Sequence, residues 1–146
     1  MWDIRSGKSV KHFYGANISG ESLDIQDGKV LTGCYSAQNQ IKVWSLNKGT
    51  LLQTIDWTHN IDQAAYVYAA SFSPYDIGMM AAGSTGKDAS VRLFKDLNNK
   101  GEHVLMNEVL GVNESCFSLD FSHKQSQLAF TTAHHGFYVY DQKKVK

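Results

Sequence analysis

The sequence predicts an all-β protein made of repeated, four-stranded antiparallel sheets. Two observations predict this fold class. Short stretches in which apolar and polar residues alternate are separated by turn residues along the chain, as is typical of strands joined by tight turns. Aromatic residues also recur at one place in these stretches, with spacings of 42, 50 and 46 residues between Trp2, Trp44, Phe94 and Tyr140. Such regular spacing indicates that one group of strands is repeated.

The clearest strand places Ile41 and Val43 on one face and Lys42 and Trp44 on the other, because side chains alternate along a strand. A turn at residues 47–49 follows it. Around this strand the first unit is complete. Its strands are predicted at residues 9–14, 21–25, 29–35, 41–46 and 50–55, of which the last four form one sheet.

The second unit repeats the order. Its strands are predicted at residues 66–72, 79–84, 91–95 and 103–106, with a turn at Pro74 after the first. The third unit has strands at residues 115–121, 127–133 and 137–141, and no fourth strand follows. The connection at residues 56–65 is longer than its counterparts, so we expect a surface excursion there.

Composition excludes several classes of protein. The 146 residues suit one domain, and 14 basic against 14 acidic residues give no electrostatic basis for binding nucleic acid. Neither a secretory signal nor the ~20 apolar residues of a membrane span is present, so membrane insertion is not expected. Cys34 and Cys116 fall in strands of different units, which favours two buried thiols in a reducing compartment. We expect an intracellular, cytoplasmic protein, with a cytoskeletal or ciliary site as the narrower alternative.

The third strands are apolar on both faces, as Phe137 and Val139 alternate with Tyr138 and Tyr140. A sheet covered on both sides needs this pattern, which favours sheets stacked radially as the blades of a β-propeller. The units are then a tail of a preceding repeat at 1–8, blades at 9–55 and 56–107, and a last blade at 108–146 that lacks its outer strand.

Three blades cannot close a ring, because closed propellers have ~4–8 blades and an open end exposes an apolar face. Three alternatives remain. The chain is the C-terminal part of a larger propeller, it completes a ring with another chain or a missing segment, or two copies form a six-bladed ring.

The repeats resemble the WD-repeat family of β-propellers along essentially the whole chain. Trp2-Asp3, Trp44-Ser45, Phe94-Lys95 and Tyr140-Asp141 stand at the Trp-Asp position, and Phe72-Ser73-Pro74 is similar to the turn after the first strand. The family links His, Ser or Thr, Asp and Trp within a blade by hydrogen bonds. The first unit offers Thr32 and Trp44 for this network, and no unit offers all four residues.

The resemblance implies that partners dock on the face formed by the connections between blades and by the loops between second and third strands. In this sequence that face holds Trp57, His59, Asn60, Asn39, Thr85, Lys87, His134 and His135. For Trp57 two alternatives stay open: an exposed anchor for a partner, or a side chain packed on the edge of a blade.

The resemblance implies a protein-interaction scaffold within a larger complex. The alternatives are an architectural subunit of a large assembly, such as a ciliary axoneme or a coat, and a ligand-binding or enzymatic propeller domain.

No catalytic residue, metal site or cofactor is predicted, so the chain is not expected to be an enzyme. Gly86-Lys87 lacks the remaining residues of a phosphate-binding loop, since Ala81 and Asp88 stand where Gly and Ser or Thr are required. His134-His135 has no further ligand at suitable spacing.

Overall fold

The computed structural model describes residues 1–58, 62, 64–98, 100–134 and 136–142, and this part of the chain is all-β. Thirteen strands form four antiparallel sheets within it, which confirms the predicted fold class. The N-terminal hairpin consists of β1 (Trp2–Asp3) and β2 (Lys8–Ser9). The other strands are β3 (Leu23–Gln26), β4 (Lys29–Gly33), β5 (Ile41–Ser45) and β6 (Leu51–Ile55) in the first sheet, β7 (Ala65–Phe72), β8 (Met79–Gly86), β9 (Val91–Asp96) and β10 (His103–Glu108) in the second, and β11 (Cys116–Phe121), β12 (Gln127–Thr132) and β13 (Phe137–Asp141) in the third.

Each sheet follows the order of the chain, because every strand is joined to the next by a short turn or loop. The turn between β3 and β4 places Asp27 and Gly28 at positive φ angles of 48° and 73°. Two consecutive residues of this kind form the turn whose twist matches that of the flanking strands, and Asp-Gly is a preferred pair for it.

The three larger sheets stack face to face. Between the first and second sheets lies a core that includes Leu31, Val43 and Phe72, and between the second and third lies one that includes Leu93 and Leu128. The second sheet is therefore buried on both faces. The third sheet, whose Phe137 and Val139 led to the prediction of two covered faces, is covered on one face only among the described residues. The first strands β3, β7 and β11 lie on one side of the stack, where β7 contacts both β3 and β11.

Three of the four predicted aromatic anchors occupy matching positions in the third strands. The prediction was wrong for Trp2, which is exposed in the N-terminal hairpin and pairs with Ser9, because that hairpin is too short to form a blade. Trp44 pairs with Val30, Phe94 with Met80 and Tyr140 with Leu128, each opposite the same place in the second strand. Phe94 belongs to the core shared with the first sheet, and Tyr140 packs on the core shared with the second. Both therefore face the sheet that precedes them in the chain.

Trp44 faces the N-terminal segment, which does not form the strand predicted at residues 9–14. Only Lys8–Ser9 is a strand, and it pairs with Trp2–Asp3. Beyond it, Phe13 makes an edge contact with Trp44 at 6.1 Å between ring centroids, and the Lys11 ammonium donates to the carbonyl of Leu46 at 2.7 Å. The strand prediction for residues 9–14 was wrong because β1 is only two residues long, so residues 10–14 have no strand to pair with.

Both cysteines are buried and free, as predicted for Cys34 and Cys116. Burial raises the pKa of the Cys116 thiol to about 12. The thiol therefore stays protonated near neutral pH and acts as a small apolar side chain in the core between the second and third sheets.

Candidate contact surfaces

The predicted partner face lies at one end of the sheets, where the second-to-third-strand loops and the connections between sheets meet. Asn39 lies between β4 and β5, Thr85 is in β8, and Lys87 lies between β8 and β9. His134 follows β12 in the third sheet. His59, Asn60 and His135 lie outside the described residues.

Trp57 is buried, with 4% of its surface exposed. Its indole N–H donates to the carbonyl of Asp88 at 3.0 Å, and its ring lies 6.4 Å from that of Phe94. The Arg92 guanidinium sits 4.4 Å from the Trp57 ring centroid. Of the two alternatives for Trp57, the structure shows the second: the side chain packs against the second sheet and is not an exposed anchor for a partner.

Lys87 contacts the end of the connection that carries Trp57, whereas Thr85 contacts the strand that follows it. The Lys87 amide donates to the carbonyl of Ala64 at 3.2 Å, and the Thr85 hydroxyl lies 3.5 Å from the carbonyl of Tyr66 in β7.

Asn39 and His134 flank this group on the neighbouring sheets. The Asn39 amide donates to the Asp56 carboxylate at 2.5 Å, which ties the first sheet's loop to the start of the same connection. His134 is exposed, and its Nδ1 lies 3.6 Å from the Glu114 carboxylate. The described residues of the predicted face are therefore polar groups distributed over three sheets, and each of them contacts a neighbouring residue of the chain's own loops or strands.

A cleft that the sequence did not predict lies at the opposite end of the sheets, between the first and second. Its volume is about 240 Å³. Its lining residues are Gln26, Asp27, Lys29, Phe72, Ile77, Gly78, Asp96 and His103. The buried Asp96 carboxylate accepts from the backbone amides of Gly101 at 2.6 Å and Lys100 at 3.1 Å, and from Lys29 of the first sheet at 3.5 Å.

Burial raises the pKa of Asp96, but the hydrogen bond from Gly101, the charge of Lys29 and the hydrogen bond from Lys100 outweigh it. The net result is a pKa below the ordinary value of a carboxyl group. Asp96 is therefore ionised near neutral pH and joins the two sheets through Lys29.

His103 lies beside this ion pair and is 3% exposed. Burial lowers its pKa, and the charge of Lys29 lowers it further, while Asp96 opposes the change. Its backbone amide and carbonyl each bond to the side-chain amide of Gln53 at 2.8 Å, which fixes the Gln53 side chain. The imidazole Nε2 has no hydrogen-bond partner among the described residues.

Within the cleft, the ion pair between Asp96 and Lys29 joins the two sheets, and backbone amides of Lys100 and Gly101 hold the Asp96 carboxylate in place. Part of this arrangement is local in the sequence. Asp96 is closely followed by Lys100 and Gly101, and its carboxylate accepts hydrogen bonds from their backbone amides. Nothing in the sequence paired it with Lys29, which lies 67 residues away in another sheet.

The third sheet differs from the other two in the burial of its outer face, the face that points away from the second sheet. Phe137 is 78% exposed and Val139 61% exposed. Their counterparts in the first sheet, Ile41 and Val43, are fully buried against the second sheet. The same two positions therefore carry core residues in one sheet and surface residues in the other.

Two further findings bear on the kind of site. Within the described ranges, His, Cys, Asp and Glu side chains nowhere gather in groups of three or more that could hold a metal ion. Across the same part of the chain, no helix has the length and apolar character needed to cross a membrane.

No protein-family model and no curated protein matches the chain. The fold defines its class. It is an all-β protein of propeller-like architecture, in which four-stranded antiparallel sheets stack as blades do and the described sheets do not close a ring.

Proposed function

We propose that this chain is part of a WD-repeat β-propeller that serves as a protein-interaction scaffold within a larger complex. Another chain, or a segment outside this sequence, supplies the sheets that cover its open faces. The step from fold to function is an analogy, because one propeller architecture carries many functions.

Two features of the blades support membership of the WD-repeat family. The Trp44 indole N–H donates to the Thr32 hydroxyl at 3.0 Å inside the first sheet, which is one link of the network that the resemblance implied. The matching register of Trp44, Phe94 and Tyr140 is the second feature, because one aromatic residue per repeat at the same place is what a Trp-Asp position would require.

The exposed outer face of the third sheet is the observation that carries the proposal. Phe137 and Val139 stand where the other sheets bury their side chains against a neighbour. A contiguous exposed apolar face of this kind marks a contact with another protein surface. The loop at Lys87, which is held on the rigid second sheet, gives a second surface for a partner.

Isolation of the native complex from cell extract, by a tag on the complete protein, tests the proposal. We expect the double variant Phe137→Ser/Val139→Ser to retain at most a tenth of the co-purifying partner. Leu110→Ser is the matched control, because Leu110 is more exposed than Phe137 and Val139 but lies in a turn outside the face. It should retain the partner fully.

The proposal fails if the complete protein is recovered as a lone monomer. It also fails if the double variant and Leu110→Ser retain the partner equally. A stoichiometric complex that survives extensive washing favours the architectural role, and a partner lost on dilution favours a transient adaptor.

A further inference from the structure

Two adjoining clefts form a groove at the end of the sheets opposite the predicted partner face. The first is the cleft of about 240 Å³ described above, and the second, of about 330 Å³, lies across the first strands of all three larger sheets. Gln26 and Phe72 line both clefts. The Gln26 side-chain amide donates to the carbonyl of Ser73 at 2.9 Å, which holds this shared wall in place. The two clefts together are called the end groove.

The charged groups that line the end groove are four carboxylates and one ammonium. The ammonium belongs to Lys29, which pairs with Asp96. The other carboxylates are those of Asp24, Asp27 and Asp120, and none of them forms an ion pair with another described residue. The end groove therefore carries uncompensated negative charge, which attracts cations.

These three carboxylates have different surroundings. The Asp24 carboxylate accepts from the Phe72 amide at 2.7 Å and from the Ser71 hydroxyl at 3.0 Å, so its charge is fixed in position. Asp27 and Asp120 are exposed, and their carboxylates accept no hydrogen bond from another described residue. Asp27 lines the first cleft and Asp120 lines the second. Each cleft therefore offers one carboxylate to a positively charged group.

A buried nitrogen without a partner lies in the wall of the first cleft. His103 is 3% exposed, and its Nε2 has no hydrogen-bond partner among the described residues. The side-chain oxygen of Gln53, which accepts from the His103 amide, lies 3.4 Å from Nδ1. The proton of the neutral ring therefore lies on Nδ1, and Nε2 is left as an acceptor. A hydrogen-bond donor that enters the first cleft supplies the partner that Nε2 lacks.

The remaining walls suit long side chains with a charged end. Phe72 and Ile77 give the first cleft an apolar wall, and Ile25 and Pro74 do so in the second. Lysine and arginine bury their methylene stems on such surfaces. The clefts are small beside the roughly 300–1,000 Å³ of sites for drug-sized ligands, so each suits one side chain. Side chains two residues apart in an extended segment lie on the same side and can enter both clefts.

We propose that the end groove binds a basic segment of a partner protein, with one lysine or arginine side chain in each of its two clefts. The side chain in the first cleft contacts the Asp27 carboxylate and donates to Nε2 of His103. The side chain in the second cleft contacts the Asp120 carboxylate. This inference goes beyond the proposed function, because it assigns a separate contact surface and does not depend on what covers the third sheet.

Titration of the complete chain with a synthetic peptide tests the inference. The probe is Ala-Lys-Ala-Lys-Ala with both ends blocked, and its matched control carries norleucine, which has an uncharged stem, in place of both lysines. We expect Asp27→Asn and Asp120→Asn each to raise the Kd about threefold, as is usual for an ion pair near the surface, and the double variant to raise it about tenfold.

Glu102→Gln is the matched control in the protein. Glu102 is an exposed carboxylate in the loop before β10, and it lines neither cleft. Its substitution removes the same charge and should leave the Kd unchanged.

The nitrogen resonance of His103 Nε2 separates entry into the cleft from loose attraction to a negative surface. The lysine peptide should shift this resonance, because Nε2 gains a hydrogen-bond donor. The norleucine peptide should leave it in place.

The inference is overturned if the lysine peptide does not bind, if the norleucine peptide binds equally well, or if Glu102→Gln weakens binding as much as Asp27→Asn. It is also overturned if a chain that ends at Gln142 binds the peptide more than tenfold more tightly than the complete chain. The groove would then belong to the basic residues 143–146 of the chain itself. All of these variants leave Phe137 and Val139 unchanged, so the proposed function is tested separately.

Discussion

At the scale of single residues, buried polar groups hold the first and second sheets together. Lys29 of β4 reaches Asp96 of β9, and Gln53 of β6 bonds to the backbone of His103 in β10. A buried polar group without a partner costs about 1–3 kcal/mol, so each of these contacts fixes the position of one sheet against the next.

We predict that the protein loses stability as the pH falls from 7 to 5, and that His103 causes part of this loss. The pKa of His103 is lowered in the folded chain, so below its ordinary pKa of 6.5 the unfolded chain binds more protons than the folded one. Protonation then favours unfolding, by up to about 1.4 kcal/mol per pH unit for one group. His103→Gln should flatten this part of the pH dependence, measured by urea denaturation.

A slope between pH 7 and 5 that is equally steep in His103→Gln and in the unsubstituted protein would contradict the assignment to His103.

At the scale of elements, two glycines set how closely adjacent sheets approach. Gly33 of β4 and Gly83 of β8 hold the same position, each paired with the first residue of the third strand. A Cβ at Gly33 would lie 2.5 Å from Val67 of the second sheet, and one at Gly83 would collide with Cys116 of the third. The first strand of each following sheet therefore packs directly on glycine.

We predict that Gly83→Ala lowers the free energy of unfolding by about 1–3 kcal/mol, the usual cost of overpacking a core. The neighbours are the buried side chains of Cys116 and Leu119, which have little room to move. Chemical denaturation measures the change.

Thr131 provides the matched control, because it holds the equivalent place in the third sheet and is exposed. Thr131→Ala should change the free energy of unfolding by no more than about 0.5 kcal/mol, as is usual for surface positions. Equal effects of the two substitutions would show that the glycine position does not set the spacing between sheets.

Most strands could be predicted from the sequence because alternation and turn residues are local signals. The Asp27-Gly28 turn and the alternation around Trp44 placed β3 to β6 to within a few residues. The segment at residues 9–14 also alternates, yet it lies across the first sheet, because strand formation depends on a neighbouring strand that the local pattern does not reveal.

The candidate surfaces were less predictable, because they depend on which distant residues meet. The polar sequence context of Trp57 left open whether its side chain is an exposed anchor or is packed on a blade, and the contacts with Asp88 and Phe94 show that it is packed. The cleft at Asp96 and His103 likewise needs two sheets to form it.

At the scale of the whole molecule, the two ends of the stack differ. At one end, the N-terminal segment covers Trp44 through Phe13, in the place where a preceding sheet would lie. At the other, Phe137 and Val139 remain exposed among the residues that the structure describes. Under the proposed function, the sheet that covers them belongs to another chain or to a segment outside this sequence.

The structure of this chain within its native assembly, determined by cryo-electron microscopy or crystallography, tests the central claim most directly. We predict that the three sheets lie as consecutive blades around a common axis, with another sheet against Phe137 and Val139. A native structure in which that face is open to solvent, or in which the sheets do not share an axis, would contradict it.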